Sequence, residues 1–228
     1  REESGRMSLE RVLEPEVMDT FEEARDYDSM DHQSVNTLFV SDFLAAGDVG
    51  TDVLDVGTGT AQIPVELCRQ HEDCRVLAID MASHMLDLAR FNIEVDGFTQ
   101  RIFLQQIDAK DMAFESAMFD SVMSNSIIHH IPEPLAVLQE SVRVTRPGGL
   151  LFFRDLLRPE TSDEVTQLVE TYAGEENDHQ RQMFDDSLRA ALSLQEIREM
   201  VLSLGFDAET VRATSDRHWT WTAWVDEA

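Results

Sequence analysis

The stretch Val53-Leu54-Asp55-Val56-Gly57-Thr58-Gly59-Thr60-Ala61 constrains this chain most: an apolar strand runs into a glycine turn, and a helical pattern follows. Glycine admits backbone conformations closed to other residues, so such a turn lets the main chain approach a ligand closely. The helix that follows offers free N–H groups and partial positive charge at its start. Dinucleotide-binding folds use that geometry to hold a pyrophosphate. Here Asp55 stands at the mouth of the strand, two residues before the first glycine, where its charge would repel phosphates. A ligand with an ammonium group and no phosphate suits the turn better. S-adenosylmethionine is such a ligand, with an ammonium and a sulfonium.

From about residue 51 onward, strand-like and helix-like periods alternate. Short apolar runs at 52–56, 75–79, 102–107, 119–123 and 150–153 predict buried strands, and 61–70, 83–95 and 134–144 predict the helices between them. Ser83 is a candidate N-cap for the second of these helices, with Asp87 in its early turns. Pro147-Gly148-Gly149 predicts a turn before the fifth strand. Strands and helices alternating at these lengths give a parallel, doubly wound sheet. Residues 1–50 read as an N-terminal helical cap, with helices expected near 16–24 and 31–46. Residues 51–155 form the core, and 156–192 are a helical insertion too long for a simple connection. Residues 193–228 complete a single domain with a helix and two final strands, at 207–211 and 219–225. Ser193 with Glu196 is a capping box that opens that helix, and Gly205 ends it.

Charge excludes whole classes of partner. The net charge is −27, and of 18 basic residues one, Lys110, is a lysine. Nucleic acid and anionic membrane surfaces should be repelled over most of the surface. No apolar run reaches the length of about 18 residues that a membrane span needs. Cys68 and Cys74 sit too close in sequence to staple a domain and read as buried thiols of a reducing cytoplasm. No metal is expected, and a homodimer is a possible assembly. A gel shift with micromolar protein at physiological salt should show no retardation of DNA or RNA; tight, salt-sensitive retardation would overturn this reading.

Five motifs follow one another along the chain. They are Asp55-Val56-Gly57-Thr58-Gly59-Thr60-Ala61, Val76-Leu77-Ala78-Ile79-Asp80-Met81, Ile107-Asp108-Ala109, Phe119-Asp120 through Ser124-Asn125, and Arg146-Pro147-Gly148-Gly149-Leu150. In that order they resemble the class I S-adenosylmethionine-dependent methyltransferases, over roughly residues 20–225. The resemblance implies a seven-stranded, mostly parallel, Rossmann-like methyltransferase sheet with N-terminal helices and a helical insertion after the fifth strand. It implies S-adenosylmethionine as cofactor and S-adenosylhomocysteine as product. By the family pattern Gly57, Thr58 and Gly59 carry the cofactor turn with Asp55 beside it, Asp80 holds the ribose and Met81 lies against adenine. Asp108 and Ala109 meet the adenine amino group, Ser124 and Asn125 border the cofactor, and Tyr27 and Met30 cover it. The family often has glycine where this chain has Ala61; alanine adds a methyl and still permits a helix start.

Acceptor-side candidates follow the strand ends, because ligands lie outside the carboxyl ends of strands in an open parallel sheet. His129 and His130 follow the fourth strand, and one of them is a candidate general base for an oxygen or nitrogen nucleophile. Arg154 and Asp155 end the fifth strand, where the arginine could hold a substrate carboxylate or pair with its neighbour. The inserted helices, with Tyr172, His179, Arg181, Phe184 and Arg189, are placed to lid the crevice and exclude water. The acceptor is expected between these three segments. Methyl transfer to a small molecule is the leading reading. A non-catalytic cofactor-binding module is one alternative; a nicotinamide-dependent oxidoreductase is another, disfavoured by Asp55 and Asp108.

Overall fold

The computed structural model describes residues 9–14 and 33–226. Tyr27 and Met30, and the helix expected at 16–24, lie outside the described residues. Helix α1 (Gln33–Ala46) precedes β1 (Asp52–Val56), α2 (Gln62–Gln70), β2 (Arg75–Asp80), α3 (Ser83–Asp96) and β3 (Ile102–Gln106). Then come β4 (Phe119–Asn125), a 3₁₀ turn (Ile128–His130), α4 (Pro134–Val144) and β5 (Thr145–Leu156). The insertion supplies α5 (Ser162–Ala173) and α6 (Asp178–Ala190); α7 (Leu194–Ser203), β6 (Val211–Ala213) and β7 (His218–Trp224) close the fold.

The seven strands form one sheet in the order β3-β2-β1-β4-β5-β7-β6. The first five run parallel, and β7 pairs antiparallel with both β5 and β6. Parallel strands need both faces covered, which is why the central ones read as unbroken apolar runs. One core contains Leu54, Val122, Leu151 and Phe153 with Trp219 and Trp221, and the other packs α1 through Phe39 and Phe43 onto Phe152. Their ring centroids lie 5.3 and 5.6 Å from that of Phe152. The order reverses between β1 and β4, and the carboxyl ends of these strands open the crevice in which such folds bind ligands.

Three local readings are corrected. The fifth strand begins at Thr145, and Arg146–Gly149 is an irregularity within it: Phe119 pairs with Thr145 while Ser121 pairs with Leu150. A Cβ on Gly149 would stand 2.7 Å from the Asp120 carbonyl oxygen, so glycine lets the chain fold in against β4. The N-cap of α3 is Ala82, so Ser83 is the first residue of the helix, and the Ala82 N–H donates to Asp80 at 2.9 Å. The first of the two final strands starts at Val211, after a short 3₁₀ turn. The Ser193–Glu196 capping box is formed as expected, and matching boxes at Thr161–Glu164 and Asn177–Gln180 open α5 and α6. Among the described residues no helix is long and apolar enough to cross a membrane.

Candidate functional site

Two cavities open at the carboxyl end of the sheet. The first is built on the turn after β1. Gly57 has a φ of 74° and an added Cβ would meet Ile127 Cγ2 at 2.2 Å, so only glycine fits there. The Gly57 and Thr58 amides both donate to the Ile79 carbonyl at 2.9 Å, which ties the turn to β2. Ala61, the N-cap of α2, takes left-handed angles (φ 61°, ψ 24°). The alanine thus does more than add a methyl. It holds a conformation that costs an L-residue about 1–2 kcal/mol.

Asp55 is buried, and its Oδ2 finds no hydrogen-bond partner among the described residues. Burial pushes its carboxyl up to about 7, an effect that the Thr58 side chain opposes and the charge of Asp80 reinforces. A buried acid without a cation sheds its charge; a cation in the cavity would restore it. Asp80 closes β2 with Oδ2 accepting from the Gly59 amide at 2.8 Å and Oδ1 from Ala82. It therefore holds the turn and the start of α3, and it lines the cavity as well. Burial raises its pKa against these amide bonds. Around the two acids lie the apolar walls Ile79, Met81, Ile107, Ala109 and Ile127, with Asp108 and Asn125 at the edges. Asp108 is fixed by the Lys110 amide at 2.9 Å. Ser124 is not among these walls; it is buried, and its Oγ donates to the Val56 carbonyl at 2.8 Å.

No ligand is needed to see what this cavity fits. An orphaned buried carboxylate calls for a cation, a second acid presents acceptors to hydroxyls, and an apolar slot suits a flat ring. Those are the ammonium, ribose and adenine of S-adenosylmethionine. Thr60, Asn36 and Gln62 also line the cavity and were not singled out from the sequence. Thr60 sits within the motif itself, and its buried hydroxyl has no partner among the described residues.

The four acceptor-side candidates separate. Side chains alternate along a strand, so neighbours such as Arg154 and Asp155 face opposite sides of the sheet. Asp155 is buried. Its Oδ2 accepts the Ile128 and His129 amides at 2.5 and 3.3 Å, and its Oδ1 lies 2.6 Å from His129 Nδ1. Burial alone would raise the Asp155 pKa, but the His129 charge and its hydrogen bond hold it below the usual carboxylate range. Burial would likewise lower His129, and Asp155 more than reverses that. His129 and Asp155 are thus a buried pair that shapes the turn, and neither reaches the cavities. His130 lines the first cavity, with Nδ1 3.0 Å from Glu14 Oε1, and its charge acts on Asp80. It is absent from the lining of the second cavity.

Arg154 lines that second cavity and pairs with Asp42 of α1 at 2.7 Å, with Nε 3.0 Å from Thr220 Oγ1. The cavity has a volume of about 920 Å³. Its walls come from α1, β5, β7 and the β6 region, so the expected contribution of the inserted helices is replaced by α1 and the terminal hairpin. Of the insertion residues, Phe184 packs against a small core with Leu156 and Val165, Arg189 pairs with Asp185, and Tyr172 donates to Asp216 at 2.6 Å. Asn125 and Ser126 line both cavities, which therefore meet at the end of β4. Ser126 holds a left-handed φ of 59°, a strained position at that junction.

Residues 54–153 match the family model described as a methyltransferase domain. A ubiquinone biosynthesis O-methyltransferase of Acinetobacter baylyi is 32% identical over 115 residues, covering 50% of this chain and 47% of the relative. The 27-O-demethylrifamycin SV methyltransferase of Amycolatopsis mediterranei is 26% identical over 186 residues, 81% of this chain and 62% of that protein. The chain thus spans about half to two thirds of the length of these relatives. A crystal structure of a candidate S-adenosyl-L-methionine-dependent methyltransferase from Methanococcus maripaludis shares the fold, with TM-score 0.72 and 14% identity over 95% of this chain and 98% of that one.

Proposed function

We propose, from the match of residues 54–153 to a methyltransferase domain, that this chain transfers a methyl group from S-adenosylmethionine to an oxygen of a small molecule. One observation carries the reading. The cavity that fits the cofactor and the larger cavity share Asn125 and Ser126, so a donor in one would meet an acceptor from the other at the end of β4. The choice of oxygen rests on the two relatives, one of them named as an O-methyltransferase and the other as acting on a 27-O-demethyl compound.

S-adenosylmethionine, when bound, supplies an electrophilic methyl on its sulfonium. The chain's own residues bind and orient. Asp55 pairs with the ammonium, Asp80 receives the ribose hydroxyls, and the Ile79–Ile107–Ile127 slot takes the adenine. Asn125 and Ser126 set the junction where the acceptor approaches. Holding two reactants in line at that distance supplies a large share of a displacement rate. His129, buried on Asp155, is not assigned proton transfer. Arg154 positions the second cavity's wall through Asp42 and Thr220.

The Asp55 pairing has a pH signature. In the unliganded fold this acid titrates at about 7, so below that pH a cationic ligand must first displace a proton. Calorimetry should show affinity for S-adenosylhomocysteine falling by up to about tenfold per unit below pH 7 and level above it. Asp55→Asn should flatten the profile; a wild-type profile already flat from pH 5 to 8 would remove Asp55 from the ammonium site. The same shift destabilises the empty fold as pH rises. Its contribution is complete below the unfolded-state value of 3.8 and is lost as pH passes through about 7.

A further inference from the structure

We infer that the second cavity takes a bulky, uncharged, oxygen-bearing lipophile, apolar along the face that meets α1 and hydroxyl- or carbonyl-bearing along the face that meets β7. The inference deepens the methyl-transfer reading and rests on it for the occupant's role as acceptor. The cavity itself is two-sided. On α1 the wall is Val35, Leu38 and Phe39, with Phe152 of β5 packed against Phe39, and Trp224 at the end of β7 joins the lining. Val35, Leu38 and Trp224 are 46%, 58% and 47% exposed, large apolar groups of the lining left in contact with water.

The wall from β7 and the β6 region is polar. Alternation along β7 turns His218, Thr220, Thr222 and Trp224 to the cavity and buries Trp219 and Trp221 on the far face. Thr214, Ser215, Thr220 and Thr222 supply this wall with short hydroxyl groups, and Thr214 and Thr220 are linked at 2.8 Å. Hydroxyls of this kind both donate and accept, so they suit alcohols, ketones and ethers alike.

Two of the three arginines in the wall are ion-paired, and the third is bonded to a carbonyl. Arg154 is held by Asp42 and Thr220, Arg217 pairs with Asp216 and stacks on Tyr172, and Arg212 donates to the Glu209 carbonyl at 3.3 Å. Asp42, Asp207 and Glu209 lie in the same lining as these three arginines, which balances its charge. His218 accepts or donates at 2.9 Å to Ser215, and burial with the neighbouring Arg217 lowers its pKa to about 4, so it is neutral near pH 7. A carboxylate entering here would meet acids as well as engaged arginines, and would lose its hydration without a dedicated partner. A single small ring would leave most of the 920 Å³ to water.

Trp224 provides the readout, since it is the half-exposed tryptophan of the lining while Trp219 and Trp221 are buried. Tryptophan emission is followed while the full chain is titrated with three probes: erythronolide B, a neutral hydroxylated macrolactone; cholate, an anion of comparable bulk; and phenol. The macrolactone should shift the emission saturably and bind about tenfold or more tighter than cholate or phenol. Trp224→Phe should abolish the signal, and Leu38→Asp, at an exposed position, should weaken binding about fivefold or more. Cholate or phenol binding as tightly as the macrolactone, or no saturable shift with any probe, would overturn the inference. Calorimetry with S-adenosylhomocysteine is run in parallel. Macrolactone binding without S-adenosylhomocysteine binding defeats the methyl-transfer reading and upholds the lipophile cavity; the reverse pattern defeats the cavity assignment alone.

Discussion

Asp155→Asn is expected to destabilise the fold by about 3–5 kcal/mol, the scale for removing one partner of a buried ion pair. For a chain of this size that corresponds to a fall in melting temperature of roughly 6–20 °C. The reason is the density of bonds on one carboxylate: two turn amides, the Leu156 amide and the His129 ring all rely on it. The pair also fixes how stability varies with pH. The His129 contribution is complete below its unfolded-state value near 6.5 and is lost as pH rises through the higher folded-state value. The Asp155 contribution is present above 3.8 and is lost as pH falls through the depressed folded-state value. The two together stabilise most between these limits, and thermal melts of the variant should lose that part of the wild-type profile. A variant that melts with the wild type would show the carboxylate to be dispensable to the fold and would return Asp155 to the list of chemical candidates.

Asp80→Ala is expected to weaken S-adenosylhomocysteine binding by about 1.5–3 kcal/mol, or about 10- to 150-fold. Part of that loss is direct, through the hydroxyls the carboxylate would accept. Part is indirect, because the Gly59 and Ala82 amides lose their acceptor and the turn loosens. Asp80→Asn separates the two contributions, since an amide oxygen still accepts from one of these N–H groups while the charge is gone. It should fall between wild type and Asp80→Ala.

Most of the sheet was legible, because parallel strands buried on both faces announce themselves as short apolar runs between helical periods. That Asp55, Gly57, Gly59 and Asp80 line one cavity was legible for a related reason: they are close to one another in the sequence or end adjacent strands, and local pattern captures both. The second cavity was not. Its walls come from α1, β5 and β7, which meet only through tertiary packing, and nothing in the period of α1 says that Phe39 reaches Phe152. Two signals were nonetheless present. Arg154 and Asp155 are consecutive in a strand and so had to face opposite sides of the sheet. The run His218-Trp219-Thr220-Trp221-Thr222 alternates polar and aromatic residues, which marks one buried and one lining face. The Thr161 and Asn177 capping boxes were also readable, each with its Glu or Gln three residues on. Glu14 was not: it meets His130 from a segment far away in the sequence.

The central claim is that the cavity beside Asp55 and Asp80 holds S-adenosylmethionine. Titration calorimetry of S-adenosylhomocysteine into wild type and into folded Asp80→Ala, with NADH as comparison ligand, tests it most directly. Saturable one-site binding to wild type, the weakening given above in the variant, and no saturable heat with NADH are expected. Wild type that takes NADH in place of S-adenosylhomocysteine, or an Asp80→Ala protein with unchanged affinity, would contradict it.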